Sequence, residues 1–289
     1  MKFCLSCQKS FTSEGWVCPS CGFEPAKSGD LLSFAPEFEN ENPFFPTENF
    51  ERLAALEEKH FWFRSRNEVI LWALRKWFRP EGKFLEIGCG NAFVLSALER
   101  ALPALKLCGS EIDSNGLEQA GRRLKRAKLF QMDARKIPYR QEFDFVGMFD
   151  VLEHIPEDEV VLSQVHSALK PGGGLILTVP QHRFLWSYVD EMTHHMRRYE
   201  SAELVTKVRD AGFEVLGSTS FVSLLMPALL LSRLGKKQVD ASFDPEKELK
   251  IHPWANAVLG LILRFERAMI RMGVRFPFGG SLLLAARKA

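Results

Sequence analysis

The sequence predicts an α/β protein, a three-layer sandwich built on a mostly parallel sheet of seven strands. Three observations lead there. Short apolar runs alternate with helical segments from Lys83 to Val179, the turn after the first run is the glycine-rich Gly88-Cys89-Gly90, and polar motifs recur just beyond the strands. Repeated strand-helix units imply parallel strands covered on both faces, and such sheets bind ligands at the carboxyl ends of their strands. A small cysteine module precedes this unit, and a helical insert precedes its last strand.

Composition narrows the options. A formal net charge of +2 over 289 residues gives no support for a protein that coats nucleic acid. Charge is unevenly placed: residues 1–50 hold three lysines and seven carboxylates, whereas 222–280 hold nine basic residues and five acidic ones. The start, "MKFCLSC", lacks the apolar run of a signal peptide, so a cytoplasmic location is expected. The longest apolar stretch, "FVSLLMPALLLSRL", runs about 14 residues, short of the ~20 that cross a bilayer, and Pro227 interrupts it.

Taken in order, the first element is the module 1–30. Cys4, Cys7, Cys18 and Cys21 form two C-x-x-C pairs. Each pair puts two thiolates on one tight turn, and two turns complete a tetrahedral site. A structural zinc ribbon is expected, because four thiolates leave no open coordination position and so short a segment has little core of its own. Two disulfides and an iron centre are the alternatives. Cys89 and Cys108 sit in apolar strand contexts and are expected to pack. A linker over 31–49, rich in Pro and acidic residues, should break regular structure. Phe50 to Phe78 then carries apolar residues at helical spacing, ahead of the main domain at 50–289.

The alternating segments follow: "KFLEIG" (strand), 92–101 (helix), "LKLCGSEI" (strand), 115–126 (helix), "AKLFQM" and "FDFVGMF" (strands), 157–169 (helix) and "GLILTV" (strand). The first turn lacks one part of a G-x-G-x-x-G phosphate fingerprint, since Phe93 stands where the third glycine would be. Glu111, about 20 residues on, can bind ribose hydroxyls in more than one cofactor class.

Five motifs together are more specific. "LEIGCG", "GSEIDSNGLEQA", "QMDARKIP", "FDFVGMFDVLEHIP" and "LKPGGGLILTVP" resemble, in order and spacing, the motifs of class I S-adenosylmethionine-dependent methyltransferases. The resemblance implies a Rossmann-like fold whose seventh strand is antiparallel. It also implies a cofactor site at Glu86, Gly88, Gly90, Glu111, Asp133, Ala134 and Met148, with Glu111 on the ribose and Asp133 and the Ala134 amide at the adenine. A sulfonium donor has no pyrophosphate, so the third glycine is not required, and its cation favours acids such as Glu86. "EEKHFWFRSRN", "TVPQHRFLWSYVDEMTHHMRRYESAEL" and "PFGGSLLLAARK" are similar to a bacterial subgroup of these enzymes.

Methyl transfer needs alignment above all, and a base when the acceptor is a hydroxyl or an ammonium. His154, beyond the fourth strand, is a candidate base or a residue that shapes its loop. Asp150, Glu153 and His154 fall where similar quinone-biosynthesis O-methyltransferases have E-x-x-E-H, associated with a divalent cation, with Asp in place of the first Glu. His195 is a second candidate base. His182, Asp190, Arg198 and Tyr199 are candidates for acceptor contact, or for a lid held by its own ion pairs. "HFWFRSRN" reads as a cap over the cofactor or as core.

"GFEVLGSTSF" and "GSLLLAARK" are the sixth and seventh strands, with about 60 residues between them, far beyond a hairpin loop. The insert 222–279 therefore forms a subdomain. Its apolar stretches are edged by Arg233, Lys236, Lys237, Arg264, Arg267, Arg271 and Arg275, which suits either helices packed on the domain or a basic amphipathic face at a membrane. The leading expectation is methylation, at O or N, of a small-molecule or lipid-linked acceptor. A ribosomal RNA methyltransferase is the alternative, disfavoured by the acidic module, and a non-catalytic scaffold that holds the cofactor is a third.

Overall fold

The computed structural model describes residues 1–38, 54–233 and 250–289. Lys236, Lys237, most of the expected linker and the start of the helical stretch at Phe50 lie outside the described residues.

Two short strands, β1 (Lys2–Phe3) and β2 (Ser10–Phe11), pair antiparallel within the cysteine module. The main sheet contains β3 (Ala26–Ser28), β4 (Leu31–Ser33), β5 (Gly82–Ile87), β6 (Leu105–Glu111), β7 (Lys128–Gln131), β8 (Phe143–Phe149), β9 (Leu169–Pro180), β10 (Phe213–Phe221) and β11 (Ser281–Lys288). Their order is β10-β11-β9-β8-β5-β6-β7-β4-β3. β11 runs antiparallel between β9 and β10, as expected for the last strand. The sheet has nine strands, not seven. The end of the expected module and the start of the expected linker supply the extra pair: β3 turns back at Gly29 (φ 59) into β4, and β4 joins β7 in parallel. Three-residue strands are too short to show an alternating pattern, which is why they read as loop.

Helices α1 (Phe61–Trp77), α2 (Phe93–Ala101), α3 (Ser114–Arg123) and α8 (Pro253–Arg271) contribute Leu74, Leu95, Leu117 and Leu263 to one core; α4 (Asp158–Ala168) and α6 (Ser201–Asp210) contribute Val165 and Leu204 to the other. The strands alternate between these cores. Phe84, Phe145, Ile176 and Leu283 face the first, and Leu85, Val146, Leu177 and Leu284 the second, which is the two-residue period of a sheet buried on both sides. Two shorter helices, α5 (Tyr188–Met192) and α7 (Met226–Arg233), follow β9 and β10. α8 starts at a cap where the His252 ring accepts the Trp254 N–H and Pro253 occupies the first turn, a position that needs no donor. Buried Glu266 on α8 accepts the Val222 and Leu224 N–H groups at 2.6 and 2.7 Å, which fixes the chain leaving β10. Among the described residues no helix is long and apolar enough to cross a membrane.

The module is docked rather than tethered. Trp16 packs edge-on against Phe34 and Tyr139, with centroids 4.5 and 5.3 Å apart, and the Phe3 N–H donates to the Pro138 carbonyl. Its four cysteines are free of disulfides and lie within reach of one centre: Cys4 and Cys21 sulfurs are 3.6 Å apart, Cys7 and Cys18 sulfurs 3.7 Å. Tetrahedral zinc with sulfur at ~2.3 Å places sulfurs about 3.8 Å apart. The cluster is consistent with a zinc site.

Candidate active site

β5 ends in a turn that crosses from strand to helix. Gly88 and Gly90 take φ of 68° and 50°, and Ala92, the residue before α2, takes 61°. At Gly88 a Cβ would meet Val151 Cγ2 at 2.4 Å, so both the dihedral and the space require glycine. The Gly90 N–H donates to Glu111 at the end of β6 (2.8 Å), and Glu111 also accepts the Ile112 N–H (2.8 Å). Glu86, one strand position from Ile87, is buried with Oε2 unpartnered; burial pushes its carboxyl well above the ordinary range.

After β7, Asp133 is buried, and its carboxylate accepts the Arg135 backbone and Nε hydrogens at 2.8 and 3.0 Å. Ala134 beside it is buried. Met148 pairs with Ile87, just before the turn; it has no exposed surface and lies in the core beside Leu177, because its position on β8 points to the α4 side.

The segment HFWFRSRN brings the residue that the sequence did not single out. Arg66, buried on α1, pairs with Asp150 at 2.5 Å, with its guanidinium 4.8 Å from the Trp62 ring. Glu57, also buried, pairs with Arg123 (3.1 Å), which further donates to Asn91 in the glycine turn. The segment thus packs through buried Phe63 and reaches the end of β8 through Arg66. An arginine four residues after a tryptophan inside an apolar helix was the available signal, but nothing local fixes which acid it meets.

Beyond β8, Glu153 is wholly buried (0 % exposed) and neither carboxylate oxygen has a partner. Burial, then the neighbouring Asp150, raises its carboxyl well above the usual range. Glu153, His154 and His195 put ligand-capable atoms within 4.8 Å of one another, whereas Asp150 is held by Arg66. The His154 and His195 rings meet edge to face at 4.7 Å.

His195 Nδ1 lies 2.9 Å from Asp190 Oδ1, and its Nε2 is 4.0 Å from Glu153. Asp190 (0 % exposed) also accepts from Arg198 Nε at 2.7 Å and from the Ser187 N–H at 2.8 Å, closing the capping box of α5. Burial opposes ionisation there, but the hydrogen bonds from His195 and Arg198 prevail and hold Asp190 well below the usual carboxylate range. Buried Tyr199 donates to Asp158 (2.8 Å). Asp190, Arg198 and Tyr199 therefore have their polar atoms engaged inside the protein, as in a lid held by its own ion pairs. Replacing Asp190 with Ala leaves Arg198 charged, buried and unpaired, and is expected to cost about 3–5 kcal/mol of stability, read from denaturant unfolding. A loss below ~1 kcal/mol would show that the pair is not a buried one.

His182 differs. It is buried at φ 65°, its Nδ1 lies 3.0 Å from Glu200, and its Nε2 is unpartnered. Its ring stacks on exposed Phe184 and Phe278, at 5.0 and 5.4 Å. Buried polar atoms without a partner are rare in folded proteins. Here Arg66, Glu86, Asn91, Asp113, Glu153 and Thr178 all carry one, and all lie on or against the carboxyl ends of β5, β6, β8 and β9.

Fold and site together define an α/β protein with unpartnered polar groups gathered at the carboxyl edge of its central strands, the edge where such sheets bind ligands. Comparison with known proteins gives the family: the model of a methyltransferase domain matches residues 33–217, and the chain belongs to that family. It is 28% identical over 167 residues to a Mycolicibacterium smegmatis protein named as an S-adenosylmethionine-dependent methyltransferase, covering 56% of this chain and 63% of that one. It is 24% identical over 187 residues to the ubiquinone biosynthesis O-methyltransferase of Idiomarina loihiensis, covering 56% and 72%. Its fold is similar to that of Haemonchus contortus phosphoethanolamine N-methyltransferase 2 in complex with S-adenosyl-L-methionine, with TM-score 0.58, 18% identity, and 86% of this chain and 58% of that chain covered.

Proposed function

We propose that the protein is an S-adenosylmethionine-dependent methyltransferase acting at O or N of a small-molecule or lipid-linked acceptor. The observation that carries this reading is the set of unpartnered buried polar atoms around the Gly88–Gly90 turn. The residues present fit the cofactor. Glu86 offers a free buried oxygen to a cation, Gly90, which has open space where a Cβ would stand, leaves room for close approach, and Glu111 stands at the end of β6 for a pair of hydroxyls. Asp133 is tied to Arg135, so the Asp133–Ala134 backbone is the better adenine partner. When bound, the cofactor supplies an electrophilic methyl group on a sulfonium.

Ionised Asp190 only accepts, so His195 presents Nδ1–H to it and turns Nε2 the other way. That nitrogen faces the Glu153 and His154 edge of the site and is placed to take a proton from the acceptor. His182 Nε2, between Phe184 and Phe278, is a second polar contact with apolar walls. The exposed rim of Phe184, Trp186, Met196 and Phe278 suits an acceptor with an apolar part. The relatives named for ubiquinone biosynthesis and phosphoethanolamine are consistent with a small-molecule acceptor. The four thiolates of the module would hold a structural zinc, which supplies folding energy and no reaction step.

Calorimetric titration with S-adenosylmethionine tests the donor site. The wild-type protein is expected to bind, and Glu86→Gln to bind about tenfold more weakly because a neutral amide replaces the free carboxylate oxygen. No binding to wild type refutes the reading. Methyl label offered with separated lipid, small-molecule and RNA fractions then identifies the acceptor, and label in RNA would move the function to the ribosomal alternative.

A further inference from the structure

α8 is apolar on two opposite sides. One side, through Leu263 and Ile270, is buried in the fold. On the other, Trp254 (66 % exposed), Val258, Leu261 (63 %), Phe265 (62 %) and Met272 (77 %) form one stripe at spacings of four, three, four and seven residues. Ala268, also exposed, fills its gap. These spacings keep the stripe within a narrow sector of the helix, over about 27 Å of its length. Soluble surfaces rarely leave so continuous an apolar strip uncovered.

Charge decides what covers it. Described residues 250–280 carry Lys250, Arg264, Arg267, Arg271 and Arg275 against a single carboxylate, Glu266, and that carboxylate is buried and engaged by backbone N–H groups. Arg264 and Arg271, seven apart, line one border of the stripe, Arg271 paired with Glu68 of α1 at 2.9 Å, and Arg275 follows in the exposed segment after it. A second copy meeting this face about a two-fold axis would bring the same cations together across the seam. An anionic surface complements them. No helix among the described residues is long and apolar enough to span a bilayer, so a helix of this pattern would lie in the interface plane.

We infer that α8 docks flat on an anionic lipid surface through Trp254, Val258, Leu261, Phe265 and Met272, with Arg264 and Arg275 meeting the headgroups. The exposed chain continues from this face through Val274 to Phe278, which stacks on His182. Docking thus presents a bilayer-held acceptor to the His182 edge of the site, and in that respect it rests on the lipid-linked form of the function proposed above. Adhesion itself is measured without an acceptor.

The full-length protein is floated with phosphatidylcholine vesicles that contain or lack phosphatidylglycerol. Binding is expected at least about tenfold tighter with phosphatidylglycerol and is expected to fall as salt rises. The double variant Leu261→Glu, Phe265→Glu is expected to lose about a hundredfold in partition, with S-adenosylmethionine affinity and thermal unfolding unchanged. Wild-type protein that stays off the anionic vesicles overturns the inference, as does a double variant that binds like wild type. A wild-type dimer that this variant converts to monomer in sedimentation velocity overturns it too, by assigning the face to a second copy.

Discussion

Chelating the zinc proposed for the four-cysteine module is expected to unfold residues 1–25 while the main sheet persists. The module has a buried core of only Cys4, Phe11 and Cys18, with Trp16 and Phe23 packed against it. Its turns are held by a few backbone bonds, Gln8 to Cys4 and Gly22 to Cys18 among them. So small a core cannot offset the conformational entropy of its chain. A structural zinc site contributes ~10–16 kcal/mol of apparent binding energy, most of it realised as folding. Because Trp16 sits against Phe34 and Tyr139, release of the module should also loosen the β3–β4 hairpin. The check is hydrogen exchange before and after chelation, with one zinc per chain in the untreated protein and Cys18→Ser as the genetic counterpart. Unchanged protection over Cys4–Gly22 after metal loss, or disulfides found by mass spectrometry, would remove the zinc assignment.

Replacing His195 with Ala is expected to lower kcat about 10²- to 10⁴-fold, the usual contribution of a positioned base, and to leave S-adenosylmethionine affinity unchanged. The expectation follows from the orientation of the ring: Asp190 holds Nδ1, and Nε2 is the nitrogen turned toward the Glu153 edge of the site. The measurement is single-turnover transfer to the acceptor found by label, across pH. His154→Ala should have the smaller effect, because His154 lacks a carboxylate hydrogen-bonded to its ring among the described residues. An equal loss in both variants with the pH profile preserved would assign the two rings to loop structure.

Much of the architecture was legible because it rests on local patterns. Five strands between Lys83 and Pro180 appear where apolar runs stand, and the 3.6-residue and two-residue periods that reveal such runs are properties of the chain itself. The glycine turn was legible for the same reason, since a tight strand-to-helix crossing needs positive φ. The cysteine pairs were legible as well, because two thiols per turn is a local constraint. The β3–β4 hairpin was not, as strands of three residues are stabilised by the sheet edge they join and not by their own pattern.

The site divides along the same line. Sequence determined the residue types at the strand ends, from Glu86 and Gly88 to Glu111 and Asp133, because each follows a strand whose length and direction are locally encoded. Tertiary structure alone decided that Arg66, 84 residues away, meets Asp150, that Glu153 is left buried without a hydrogen-bond partner, that Asp190 joins His195 to Arg198, and that Met148 turns into the core. It also decided that α8 buries one apolar side and exposes the other. The physical reason is that desolvation and pairing depend on which surfaces the folded chain brings together. A charge or an apolar stripe has the same sequence whether it is buried or exposed, and only packing assigns it.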